Sequence, residues 1–251
     1  MTGAPSRFLD IEFRDEVAST NDVARERAIA GAGEGVAIRA RRQAAGRGTR
    51  GRGWTSPEGN LYLSVILRPA CAPIVAGQLS FVVALAVGDA ARACLPGQVD
   101  IRNKWPNDVL VNGRKISGIL LEASGGGEVA WVVAGIGINV GHHPPVEATR
   151  WPATSIVAEG GADDIDAVVD ALDRALGLWY RRWRAEGFGP IRAAWLARAH
   201  ALGQDIDFVL GEERLMGRFE TLDESGALWL ALPGGGRRVV ASGEIVLRRA
   251  A

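Results

Sequence analysis

The residues of this chain with the clearest capacity for chemistry lie between Gln43 and Trp54. From Gly46 to Gly53 the sequence reads Gly46-Arg47-Gly48-Thr49-Arg50-Gly51-Arg52-Gly53, four glycines with three arginines. Glycine tolerates backbone conformations and close approaches that a Cβ forbids, and guanidinium groups present planar forks of donors to phosphate or carboxylate oxygens. Ordering such a loop costs about 1–2 kcal/mol per residue in backbone entropy, so the segment is expected to order around an anion. Composition by itself fits a solvated basic loop or a nucleic-acid contact equally well. The Gly-x-x-x-x-Gly-Lys-[Ser/Thr] order of a phosphate-binding loop is absent.

Three further groups of residues have polar side chains at suggestive places. Asn112-Gly113 is a hairpin turn signal, and the hairpin brings Lys115 back near Asp108; on spacing alone this is an ordinary ion pair. Ser19-Thr20-Asn21 precedes an alanine-rich run at 23–30, where its side chains can cap a helix whose N-terminal amides face a polar ligand. A plain N-cap is the simpler reading of those residues alone. Gly135-Ile136-Gly137-Ile138-Asn139 follows a strand and lacks the third glycine and helix of a dinucleotide fingerprint.

The elements that must position these groups follow from periodicity. Strands at 36–41 and 61–67 hold the glycine-arginine loop between them, and a long core helix covers 74–94. A strand at 99–104 ends in Trp105-Pro106-Asn107-Asp108, where Pro106 forces an irregular turn. Strands at 116–122 and 129–134 follow, then helices at 163–186 and 189–199. Val168, Ala171, Leu172, Ala175, Leu178, Trp179 and Trp183 lie on or near one face of the first of these. After His200, short strands at 205–210, 214–221, 227–232 and 237–240 read as a small β barrel.

Composition bounds the rest. A chain of 251 residues holds one sizeable core plus an appendage, or two modest domains. Lys plus Arg equals Asp plus Glu at 29 each, so any anion site is local. Cys71 and Cys94 show no metal or redox spacing and read as buried thiols in a reducing compartment. Residues 70–88 carry no charge, but Pro73, Gly77, Gln78 and Ser80 interrupt them, which fits a buried helix better than a membrane span. The acidic N-terminal stretch lacks a signal-peptide pattern, and a cytoplasmic protein is expected. His142, His143 and His200 complete no zinc set.

Taken together, the glycine-arginine segment, Ser56-Pro57-Glu58-Gly59-Asn60-Leu61-Tyr62, Lys104-Trp105-Pro106-Asn107-Asp108, the 113–122 run from Gly113-Arg114-Lys115 to Glu122, and Gly135 to Val140 closely resemble the biotin protein ligases. The blocks occur in that family's order, with Ser19-Thr20-Asn21 upstream. The resemblance implies an α+β fold: a mixed-sheet catalytic domain of the biotin/lipoate ligase type, similar to class II aminoacyl-tRNA synthetases, at 1–200. A C-terminal SH3-like barrel follows at 201–251, and Gly243 to Arg248 matches its end.

What the resemblance implies about function is specific. The family activates biotin with Mg-ATP as biotinyl-5′-AMP and transfers it to a lysine of the biotin carboxyl carrier domain of a carboxylase. By position, Lys115 and Arg47 carry the catalytic roles. Ser19, Thr20, Asn21, Gln43, Arg47, Gly48, Thr49, Lys115 and Gly118 meet biotin or the adenylate. Arg50, Arg52, Trp54, Asn107, Asp108 and Asn139 serve the nucleotide, with Trp54 against adenine and Asp108 on the Mg²⁺ side, through water. Thr49 stands where many members have arginine, which implies a weaker hold on the adenylate unless Arg50 compensates.

Alternatives within reach of the sequence are a lipoate or octanoate transferase of the same superfold and a non-catalytic biotin sensor or DNA-binding repressor. Balanced charge and the absence of a winged-helix segment before Ser19 argue against DNA. No residue pattern chooses between monomer and homodimer.

Overall fold

A computed structural model describes residues 7–246. Strand β1 (Asp10–Val17) is followed by helix α1 (Thr20–Ile29), β2 (Val36–Gln43) and β3 (Leu61–Leu67). A one-turn helix α2 (Pro73–Ala76) and the apolar α3 (Leu79–Cys94) lead to β4 (Ile101–Lys104), β5 (Asp108–Val111), β6 (Arg114–Ala123) and β7 (Val132–Ile138). Helices α4 (Ile165–Glu186) and α5 (Phe188–Ala197) precede β8 (Asp205–Leu210), β9 (Glu213–Leu222), β10 (Leu228–Ala231), β11 (Arg237–Val240) and β12 (Glu244–Val246).

The first seven strands form one sheet in the order β1-β2-β3-β7-β6-β5-β4. β1 and β2 run parallel, with α1 as their crossover, and the other neighbours are antiparallel. β3 is buried at every position because both faces of the sheet are covered. On one side α3 lies against α4 and carries the main apolar core. On the other, the small side chains of Ala24 and Ala28 let α1 settle on Ile38, Ile66 and Val133. The mixed sheet with packed helices is the α+β class implied above.

The last five strands make an antiparallel sheet in the order β11-β10-β9-β8-β12, with β11 and β12 at its edges. Leu247 and Arg248, at the end of the matching C-terminal run, lie outside the described residues.

Several elements differ from the sequence reading. The helix expected at 74–94 is divided at Gly77-Gln78, where the Gln78 amide accepts from Trp183 Nε1 at 3.0 Å and donates to Glu224 O at 3.1 Å. Its apolar length satisfies the demands of a membrane span, yet 72% of that stretch is buried inside the protein. β7 continues through Gly135 to Ile138 instead of ending at Ala134, because the ladders with β3 and β6 extend that far. β1 was not anticipated, since charges occupy both its faces. Leu178 points away from the core and is 58% exposed, whereas Trp179 and Trp183 are buried. Cys71 and Cys94 are only partly buried, and burial pushes both thiols up.

The two sheets are joined through Trp105, which follows β4 and precedes a cis Pro106. Its indole is buried, donates to Gly226 O at 3.0 Å and lies 5.6 Å from the Phe208 ring. Trp105→Ala is expected to cost about 3–5 kcal/mol, the usual range for truncating a buried aromatic. Thermal unfolding followed by calorimetry checks this, and an unchanged Tm would contradict a structural role for the junction.

Candidate active site

The site begins with what the sheet lacks. Gly118 on β6 and Gly137 on β7 are cross-strand partners, and Gly135 lies two residues back on β7. A Cβ at Gly137 would sit 2.6 Å from the Trp54 indole, and one at Gly135 2.1 Å from Asn21 Oδ1. Bare backbone therefore forms a floor on which those two side chains rest. Trp54 also covers Gly118, lies 5.4 Å from Lys115 Nζ, and has no partner for its buried Nε1–H among the described residues.

One wall is the start of α1, with Ser19, Thr20 and Asn21 buried. The capping expected from these residues does not occur: Ser19 occupies the N-cap position without a side-chain cap bond. Gln43 takes over instead, since its Oε1 accepts from Thr20 N at 2.8 Å and Thr20 Oγ1 at 3.1 Å while its Nε2 donates to Ser56 Oγ. Ser64 Oγ lies 2.7 Å from Thr20 Oγ1 and 2.6 Å from Asn21 Oδ1, and Asn21 Nδ2 donates to Glu122 at 2.9 Å. A chain of hydrogen bonds thus fixes this wall from strand to helix to loop.

The glycine-arginine loop closes the cavity from above. Arg47 forks onto Asp22 at 2.6 and 2.8 Å and reaches Glu122 at 3.2 Å. The Arg47 hydrogen bonds hold the Asp22 carboxyl below its ordinary value against the opposing effect of burial. Arg52 pairs with Glu244 of β12 at 2.9 Å and binds both Thr49 O and Thr49 Oγ1. Arg50, in the left-handed region at φ 60°, lies 3.5 Å from the same Glu244. A non-glycine residue there is uncommon and carries some strain.

Opposite the loop, Asp108 is buried between two lysines. Lys115 Nζ is 2.5 Å from one of its oxygens and Lys104 Nζ 2.9 Å from the other. Burial pushes the carboxyl up, but the two ammonium groups more than reverse this and hold it at about 2. Lys104 also points to Ile245 O at 3.4 Å and sits over the Trp151 ring at 5.0 Å. Nearby, Asn107 Nδ2 donates to Ile119 O and Asn139 Nδ2 to Thr154 O.

These parts enclose a cavity of about 440 Å³. Every site residue named from the sequence lines it except Arg50, which borders an adjoining cavity of about 210 Å³ between the loop and β12. Arg50 thus stands beside the main cavity, next to Thr49, Arg52 and Glu244, which line both. Both oxygens of Asp108, the residue expected on the Mg²⁺ side, face ammonium groups in this structure. No cluster of three or more His, Cys, Asp or Glu side chains among the described residues could hold a metal.

Partners not given roles from the sequence include Asp22, Ser64, Lys104, Glu122 and Glu244. Asp22 and Glu122 adjoin the motif residues in sequence, and Glu244 falls in the recognised C-terminal run, but only the fold shows what each one holds. The assembled site offers donors and cations above an apolar floor. That arrangement suits a ligand with an apolar body and a phosphate or carboxylate head.

Comparison with known proteins gives a consistent picture. The Biotin/lipoate A/B protein ligase family matches residues 15–139, and the Biotin protein ligase C terminal domain matches 201–248. A biotin--[acetyl-CoA-carboxylase] ligase of Paracoccus denitrificans is 45% identical over 214 residues, which cover 83% of this chain and 88% of that protein. Biotin protein ligase from Aquifex aeolicus, solved with biotin and ATP, superposes with a TM-score of 0.78 at 29% identity, covering 96% of this chain and 99% of the other. The Leishmania major enzyme, solved with biotinyl-5-AMP, gives a TM-score of 0.58 at 28% identity, covering 95% and 100%.

The Asp108 cluster has a pH signature. A carboxyl depressed from 3.8 to about 2 adds stability that is fully present above its unfolded value and is lost as pH falls through its folded one. The stability advantage of the native chain over Asp108→Asn, from urea unfolding at a series of pH values, is expected to hold above pH 5 and shrink between about pH 4 and 2. A pH-independent difference would contradict the ion-paired state.

Proposed function

The chain belongs to the biotin protein ligase family, and from that premise we propose how its own residues carry out the reaction. It is an ATP-dependent ligase that activates biotin as biotinyl-5′-AMP and transfers the biotinyl group to a lysine of a biotin carboxyl carrier domain. Residues 1–200 form the catalytic part and 201–251 the C-terminal part. The protein acts in the cytoplasm, and its acceptor is the carrier domain of a carboxylase.

In the first step a biotin carboxylate oxygen attacks the α-phosphorus of ATP, and the bond to the β-phosphate breaks to release pyrophosphate. Lys115 leaves its pair with Asp108 for the carboxylate and α-phosphate, where its charge stabilises the transition state. Lys104 stays with Asp108, so the buried carboxylate keeps a counter-charge while Lys115 moves. In the second step the acceptor amine attacks the carbonyl of the mixed anhydride, and AMP leaves. Positioning and charge stabilisation suffice for both steps without a covalent enzyme intermediate.

Ser19, Thr20, Asn21 and Gln43 hold the polar end of biotin, and its apolar body lies beside the Trp54 indole that rests on Gly118 and Gly137. Arg47 and Gly48 bind along the adenylate. Trp54 packs against adenine, and Asn107, Asn139, Arg52 and Arg50 serve the nucleotide. Magnesium enters with ATP as part of the substrate. The observation that carries this reading is the convergence of Lys115 and the glycine-arginine loop on one cavity.

Biotin-dependent exchange between pyrophosphate and ATP tests acid activation without any acceptor. Exchange is expected with biotin and not with lipoate or octanoate, and preference for either of those acids would move the protein to the sister activity. Lys115→Met is expected to lower the exchange rate about 10²- to 10³-fold, as when one preorganised donor to a developing charge is removed.

Thr49 is held by Arg52 and offers the adenylate no cation. Thr49→Arg is expected to slow escape of the adenylate in a single-turnover chase about tenfold or more, as one charge-assisted hydrogen bond is gained. An unchanged escape rate would sink this account of position 49.

A further inference from the structure

The charged side chains lining the main cavity are Arg47, Arg52, Lys115, Arg150, Asp108 and Glu244. Three of the four cations are already matched: Arg47 by Asp22 and Glu122, Arg52 by Glu244, and Lys115 by Asp108. Arg150 has neither an ion pair nor a hydrogen bond from its guanidinium among the described residues. Glu147, on the same segment, is exposed and does not pair with it.

This free cation stands on an anchored backbone. The next residue, Trp151, is buried, with its Nε1–H on Gly113 O at 2.9 Å. Beyond it Pro152 O accepts from Lys115 N at 2.7 Å, and Thr154 N donates back to Lys115 O at 2.9 Å. The segment therefore forms a parallel bridge beside Lys115 at Ala153, and Arg150, just before the buried Trp151, lines the cavity.

We propose that Arg150 is a binding residue for the polyphosphate of the nucleotide, engaging ATP as it enters and pyrophosphate until it leaves. The proposal rests on the ligase reading above and adds a residue to it. An anion that recruits Arg47, Arg52 or Lys115 must first draw it from a carboxylate, whereas Arg150 meets an incoming anion without breaking any pair. Biotin brings one negative charge and the triphosphate several, so the unmatched cation favours the nucleotide. A guanidinium also forks onto phosphate oxygens in a way an ammonium cannot.

Biotin-dependent pyrophosphate exchange separates the possibilities when run on the native chain, Arg150→Ala and Arg150→Lys. Arg150→Ala is expected to raise the KM for ATP and for pyrophosphate about tenfold, the scale of one charge-assisted hydrogen bond, with Arg150→Lys recovering part of the loss. Biotin affinity without nucleotide, from titration calorimetry, is expected to stay unchanged. Unaltered KM values for both phosphates, or a parallel loss of biotin affinity, would overturn the proposal in favour of a solvated or structural arginine. If the native chain shows no exchange with biotin, the ligase reading fails first, and this inference with it.

Discussion

The constraint on which the rest of the site depends is the absence of side chains at Gly118, Gly135 and Gly137. A sheet face in mid-strand normally presents a side chain at every second position, and glycine there weakens the strand. Here the floor is lowered by one layer of side chains, and Asn21 and Trp54 come down to the backbone. The cost in strand propensity is offset because β6 and β7 are paired on both sides within the seven-stranded sheet. Flanking apolar residues such as Ile119, Ile136 and Ile138 face α3 and its core.

Above that floor the cavity is held together by opposite charges. Asp22 and Glu122 orient Arg47, Glu244 orients Arg50 and Arg52, and Asp108 orients Lys104 and Lys115. Each carboxylate prevents cations from repelling one another in a partly dehydrated space, and each fixes a donor that ligand oxygens can take over. Exposed pairs of this kind add little to stability. The buried pairs around Asp108 are better understood as positioning devices, since a lone charge there would be costly.

Much of this was legible in the sequence wherever the determinant is local. Asn112-Gly113 specified its turn because both residues must adopt positive φ, and they do so at 49° and 76°. The glycine-arginine segment announced an anion site because flexibility and charge coincide in a few residues. What escaped was non-local. Ser64 meets Asn21 across 43 positions, Glu122 meets Arg47 across 75, and Glu244 meets Arg52 across 192. No spacing rule links such residues before the sheet order is known. The capping expected of Ser19-Thr20-Asn21 does not form, and the first free amide of the helix, at Thr20, is met instead by Gln43 from the end of β2. β1 was hidden by an exposed, charge-rich pattern that its parallel pairing with β2 overrides.

The bond from Lys104 to the carbonyl of Ile245 gives the C-terminal sheet a hold on the same carboxylate that Lys115 uses, while Glu244 beside it holds the loop. Detachment of that sheet alone would remove the carbonyl partner of Lys104 and the carboxylate partner of Arg50 and Arg52 together, although the seven-stranded core stayed folded. Cooperative units of this kind open at free energies below that of global unfolding. The amides of the loop and of β12 therefore belong to one unit and should exchange their hydrogens for deuterium with a common protection factor, separate from that of α3.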